Sequence, residues 1–146
     1  MNFIKQQDPR GCCVACVAML TGLSYERVWR DQTKAFSPEE VLNFNPLTWS
    51  VYLSWLGFEF GFFYAEGLLL DLQVEFPLGV RYFCSVGLHE NHPRSGLTNG
   101  HAIVLDEFGI VFDPLNDAPG VMPMEHYRVL PSKLLSVGSV LDRRLG

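Results

Sequence analysis

Gln6-Gln7-Asp8-Pro9-Arg10-Gly11-Cys12-Cys13-Val14-Ala15-Cys16-Val17-Ala18-Met19-Leu20-Thr21-Gly22 changes character at Cys12. Upstream it is polar, and Asp8-Pro9 and Gly11 predict a turn. From Cys12 to Leu20 every residue is apolar, and Gly22 follows as a left-handed terminator. An apolar run with no polar side predicts a helix buried all round. Cys12 therefore stands where a buried helix begins. The free N–H groups and the helix dipole at that end favour thiolate over thiol. Gln6, a short turn upstream, is within reach of folding back beside the sulfur. A nucleophile with a neighbouring hydrogen-bond donor is half of a cysteine-hydrolase site.

The other half is a histidine held by a third group. Asn99-Gly100-His101-Ala102-Ile103-Val104-Leu105-Asp106-Glu107-Phe108-Gly109-Ile110-Val111-Phe112-Asp113-Pro114 predicts a β-hairpin, with apolar, β-branched runs flanking Glu107-Phe108-Gly109. A three-residue loop ending in glycine is a common hairpin connection. With that loop Asp106 opposes Ile110 and Ile103 opposes Asp113, so His101 and Asp113 become diagonal neighbours on one face. A two-residue loop would shift the register by one and send them to opposite faces.

Gln6…Gly11-Cys12-x-x-Ala15-Cys16-x-Ala18-Met19, then Gly100-His101-Ala102-Ile103-Val104-Leu105, then Phe112-Asp113-Pro114, resembles the papain-like cysteine peptidases. Within them it is closest to the bacteriocin-processing (double-glycine leader) peptidase family. The resemblance implies an α+β, papain-like fold: N-terminal helices, with the catalytic cysteine at the start of the central one, packed on an antiparallel sheet. It implies Cys12 as nucleophile, His101 as base, Asp113 as the group orienting the imidazole and Gln6 as an oxyanion-hole donor. It covers the first twenty or so residues and roughly Gly100 to Pro114. Two positions depart from the family pattern, which usually has an acidic residue before the cysteine and a glycine after it. Here they are Gly11 and Cys13, so Cys13 stands as an alternative nucleophile.

At 146 residues the chain is expected to form a single domain, 1–146, large enough for a real core. With 48% apolar residues it is expected to be globular. Its net charge of −5 has both signs interspersed, which gives no basic footprint, so no nucleic-acid partner is expected. No apolar run is long enough to span a bilayer and no signal peptide is evident, so no membrane role is expected. Cys12, Cys13, Cys16 and Cys84 are badly spaced for structural disulfides, which predicts a reducing, cytoplasmic compartment.

Along the chain, Ser24 predicts an N-cap and Tyr25 to Lys34 a helix with Tyr25, Val28 and Trp29 inward. Ser37-Pro38-Glu39-Glu40 is a capping box with proline at the first helical position. Asn45-Pro46 opens a helix over Leu47 to Leu56, with Leu47, Val51 and Trp55 at helical spacing and Gly57 at its end. Phe58 to Tyr64 and Leu78 to Val86 predict strands, the second central, whereas Gly67 to Val74 is ambiguous. Gly87 to Gly100 predicts a polar loop holding His89, His92, Pro93 and Gly96. Leu115 to Met124 is turn-rich, and Tyr127 to Leu130 and Leu134 to Leu141 predict two last strands. Helices first and antiparallel strands afterwards make an α+β domain.

Each functional residue also has a plainer reading. Cys12 is a small buried hydrophobe in most such contexts, and Cys16 and Cys84 are read as core. His101 satisfies a backbone carbonyl, Asp113 is a turn residue before proline, and Gln6 is a solvated loop residue. Asp106 and Asp117 are the alternative orienters and Gln7 the alternative to Gln6. Zinc on the N-terminal cysteines with His89 and His92 is the competing metal reading, disfavoured by the apolar helix, so no cofactor is expected. The function expected is cleavage of a peptide or isopeptide bond in a peptide or protein substrate through a thioester. Alternatives are an acyltransferase or amidase using the same site, and a non-catalytic binding or inhibitory module on a peptidase-like fold.

Overall fold

The computed structural model describes residues 1–43, 46–63, 67–69, 80–88, 100–129 and 137–142. Four helices come first: α1 (Cys12–Thr21), α2 (Tyr25–Ala35), α3 (Pro38–Leu42) and α4 (Pro46–Trp55). The strands follow as β1 (Phe58–Phe63), β2 (Gly67–Leu68), β3 (Arg81–Leu88), β4 (His101–Leu105), β5 (Val111–Phe112), β6 (Tyr127–Val129) and β7 (Val137–Asp142). The class is mixed α+β with an antiparallel sheet. Among the described residues no helix is long and apolar enough to cross a membrane. Asn45, Tyr64, the stretch after Leu69, the 89–99 loop with His89 and His92, and Leu130 to Leu134 lie outside the described residues.

α1 is buried on every side from Cys13 to Leu20 and stops at Gly22, whose φ of 78° is the left-handed conformation glycine adopts freely. α2 starts where Ser24 Oγ accepts from Arg27 N–H at 3.1 Å, and α3 starts with a reciprocal Ser37/Glu40 capping box. On α2, Tyr25 and Val28 point inward, while the third buried residue is Gln32 and Trp29 is half-buried. α4 departs further from expectation. Its Val51 and Trp55 are 57% and 71% exposed, and Thr48, Trp49, Tyr52 and Leu53 form the buried stripe. Apolar side chains occur on nearly all sides of this helix, so a four-residue spacing does not select the inward face.

β3 is the middle strand. Tyr82 to Val86 pair with β4 on one side. On the other, Arg81 to Cys84 pair with β7 and Val86 to Leu88 with β6. The strand therefore runs on through Gly87, which the sequence pattern assigned to a loop. β1 adds to β7, β2 to β6 and β5 to β4. Residues of β4 alternate between two cores: Ala102 and Val104 meet α1, Val28, Trp49 and Leu53, while Ile103 and Leu105 join Tyr82, Val86 and Tyr127. Burial on both faces is why β4 reads as an unbroken apolar run. The N-terminal segment closes this edge, with Phe3 against Phe112 at 6.3 Å between ring centroids and Gln6 N–H donating to Pro114 O at 3.0 Å.

Candidate active site

Cys12 is delivered by a turn in which Gly11 N–H donates to Asp8 O at 3.0 Å. Gly11 is required there: a Cβ would lie 1.9 Å from the Tyr25 hydroxyl, which itself donates to Asp8 Oδ2 at 2.7 Å. No side chain caps α1, and its first turn holds no acidic residue. Its free N–H groups and positive dipole end are left for an anion at Cys12.

The hairpin delivers the other two residues. Val104 pairs with Phe112 and Leu105 with Val111, and Asp106 N–H donates to Ile110 O at 3.1 Å. That is the three-residue-loop register, with Gly109 at φ 81° closing the loop. Ile103 then faces Asp113, and His101 sits diagonally beside it. His101 Nε2 lies 2.6 Å from Asp113 Oδ1, with side-chain exposures of 2% and 0%. Asp113 Oδ1 also accepts from Leu115 N–H at 2.9 Å, and Oδ2 accepts from the Tyr127 hydroxyl at 2.5 Å.

Because Nε2 is engaged by Asp113, Nδ1 is the ring nitrogen left for Cys12, whose thiol lies close enough to the imidazole for each to shift the other's titration. The Cys13 thiol and the Ala102 backbone also lie beside the Cys12 sulfur and favour its charged form. These neighbours, Cys13 foremost, outweigh burial and hold the Cys12 thiol well below the ordinary thiol range, with His101 adding its charge. Burial pulls the His101 imidazole down, but Asp113 and Cys12 push it up to about 9. Burial also raises Asp113, yet His101, Tyr127 and Leu115 keep its carboxyl below the usual range. Cys13, 1% exposed, is pushed up by the Cys12 sulfur beside it and by burial, so it remains protonated. Burial likewise raises Cys16 and Cys84. The directions of these shifts favour an imidazolium–thiolate pair, oriented by a buried carboxylate.

The structure thus brings Cys12, His101 and Asp113 together. Gln6 is adjacent but faces the turn, its Nε2 donating to Asp8 O at 2.9 Å and Pro9 O at 3.0 Å. Its Oε1 is buried and has no hydrogen-bond partner among the described residues. Gln7 is exposed and donates to Glu26 at 2.7 Å. Asp106 accepts from Phe108 and Ile110 N–H inside its own turn, at 2.9 and 2.8 Å. Asp117 pairs with Lys5 on the surface at 2.5 Å. Neither aspartate takes the orienting position. Among the described residues no group of three His, Cys, Asp or Glu side chains could hold a metal ion.

Tyr127 is the member of the site that sequence reasoning missed. It follows Asp113 by 14 residues across a turn-rich segment, and no spacing rule reaches across such a stretch. Its one signal is an aromatic hydroxyl opening a predicted strand. No protein-family model matches the chain, and no curated protein matches it.

Proposed function

We propose that this chain is a cysteine hydrolase of the papain-like type, cleaving a peptide or isopeptide bond in a peptide or protein substrate. The observation that carries the reading is the buried His101–Asp113 pair, Nε2 to Oδ1 at 2.6 Å, with the half-buried Cys12 thiol beside the imidazole at the start of α1. The Cys12 sulfur attacks the scissile carbonyl carbon, and the developing oxyanion takes the Cys12 N–H at the uncapped end of α1. Gln6 is the second donor, and substrate binding must draw its amide away from the Asp8 and Pro9 carbonyls. Each such donor is typically worth about 3 kcal/mol in the transition state. His101 Nδ1–H protonates the leaving amine, giving a thioester. Water activated by the then neutral imidazole hydrolyses it, and an amine in place of water makes the same site a transferase. All four thiols are free, which suits a reducing, cytoplasmic setting.

The test is alkylation by iodoacetamide followed with pH, together with turnover of a peptide and isopeptide library. An ordinary thiol with a pKa near 8.5 loses about 100-fold in rate from pH 8 to pH 6. Cys12 is expected to lose only a few-fold, His101→Ala should steepen that fall, and Cys12→Ala should abolish turnover. Labelling at Cys13, or turnover surviving Cys12→Ala, would end the proposal. One observation favours a second reading, a non-catalytic module: both Gln6 amide contacts are to carbonyls of its own turn. Fast Cys12 labelling with no turnover anywhere in the library would select it.

A further inference from the structure

The chemistry assigned to Cys12 leaves a second thiol unused, that of Cys13, the very next residue. Both cysteines are free, and they differ in access: Cys12 is half-buried, within reach of a small molecule from solvent, whereas Cys13 is 1% exposed. A thiolate that solvent reaches is the form that peroxides oxidise. The Cys12 sulfur beside it, and then burial, keep Cys13 protonated for as long as Cys12 is charged. Oxidation of Cys12 to a neutral sulfenic acid removes the first of these restraints. Backbone geometry sets what such a pair can do. Adjacent Cα atoms stand about 3.8 Å apart across a trans peptide, short of the roughly 4.4–6.8 Å that a relaxed disulfide spans. A Cys12–Cys13 bond therefore requires the first helical turn to open, and it is easily reduced once formed. That turn can yield, because no side chain caps α1, and the first backbone bond given up is Ala15 N–H to Gly11 O at 3.1 Å. Cys16, one turn on and 0% exposed, lies in the buried middle of the helix. Helical spacing puts its Cβ about 5–6 Å from that of Cys12, beyond the roughly 3.5–4.5 Å of a disulfide.

We propose that Cys12 and Cys13 form a reversible, peroxide-responsive switch that turns the site off as a vicinal disulfide. It rests on the thiolate reading of Cys12 and not on turnover. The Cys12 sulfur attacks one peroxide oxygen, the O–O bond breaks, and the departing hydroxide takes the His101 imidazolium proton and leaves as water. Cys12 is then a sulfenic acid. The Cys13 sulfur attacks the Cys12 sulfur, the S–O bond breaks, and the Cys13 proton leaves with that hydroxide as a second water. Two thiols are oxidised by two electrons to one disulfide, and one peroxide is reduced to two waters. Opening the turn moves the nucleophile and the Cys12 N–H out of place together, and a thiol reductant restores both. Cys13 thereby diverts the sulfenic acid from the irreversible sulfinic step.

The experiment exposes the full chain to hydrogen peroxide near neutral pH and reads intact mass, a peptide map and the rate of Cys12 alkylation by iodoacetamide. The parent is expected to lose about 2 Da, the two hydrogens of a disulfide that maps to Cys12 and Cys13. Its Cys12 alkylation should fall about tenfold or more and return with dithiothreitol. Cys13→Ala should instead gain about 32 Da at Cys12, the two oxygens of a sulfinic acid, which dithiothreitol does not reverse. Cys13→Ser, close to cysteine in size, should do the same, so that a packing defect in Cys13→Ala does not account for the result. Cys16→Ala should oxidise like the parent. The switch is overturned if the parent gains oxygen as Cys13→Ala does, if the disulfide maps to Cys16, or if dithiothreitol restores Cys13→Ala as fully as the parent. A parent alkylated fast at Cys12 yet inert to peroxide overturns the switch and spares the hydrolase reading, whereas a Cys12 inert to both reagents overturns the two together. Formation of the Cys12–Cys13 disulfide in a chain that turns over no peptide upholds the switch alone.

Discussion

Asp113 has no exposed side-chain surface and still keeps its charge, because His101, Leu115 N–H and Tyr127 all donate to it. A hydrogen bond to a charged group typically contributes about 1.5–3 kcal/mol. Tyr127→Phe removes one such bond without opening a cavity, so destabilisation of that size is expected. In a domain of this length it appears as a fall in Tm of roughly 3–12 °C. A calorimetric Tm within 1 °C of the parent would show that the Tyr127 bond does not support the carboxylate. Cys12, His101 and Asp113 were legible in the sequence because each sits at an element boundary with a local signature: a helix start, a strand start, a strand end before proline. Tyr127 was not, since its contact with Asp113 depends on the path of an irregular segment.

At the level of elements, the entry to α1 depends on a residue with no side chain. The Tyr25 ring is 4% exposed and held by Asp8, so it has little room to yield to a new methyl group at Gly11. Gly11→Ala is therefore expected to destabilise by about 1–3 kcal/mol, the usual cost of overpacking. It should also slow Cys12 alkylation, because the turn that aims the thiol must shift. Adding Tyr25→Phe removes the atom closest to the new methyl and should recover part of both losses; strictly additive effects in a double-mutant cycle would disprove that steric account. Helix starts were readable because caps are local chemistry, and the hairpin register was readable because loop length and apolar alternation agree. The inward face of α4 was not readable, because its apolar residues surround the helix axis. Nor was the division of β3 between β6 and β7, which pairs residues 39 to 59 positions apart and leaves no periodic trace.

For the molecule as a whole, the ion pair makes folding stability a function of pH with a distinctive shape. His101 is raised in the folded state, to about 9, so its contribution is complete below the unfolded value near 6.5 and lost as pH rises through 9. Cys12 is lowered, so its contribution is complete above the unfolded value near 8.5 and lost as pH falls through its folded value. Between about 6.5 and 8.5 the unfolded chain holds one proton on the thiol and the folded chain holds one on the imidazole, so these two groups contribute no net slope. Below about 6.5 the unfolded chain also protonates its histidine and holds one proton more, so stability falls with acidification at up to about 1.4 kcal/mol per pH unit. Urea unfolding midpoints measured from pH 5 to pH 9 should therefore show a plateau with a falling acid limb. In Cys12→Ala the thiol no longer titrates, and the limb between about pH 5 and 6.5 should disappear. Asp113 cannot mimic that limb, because its carboxyl is held below the usual range and titrates further into acid. If parent and Cys12→Ala lose stability in parallel between pH 6.5 and pH 5, the proton is not where the geometry puts it, and the thiolate–imidazolium description of the folded site is wrong.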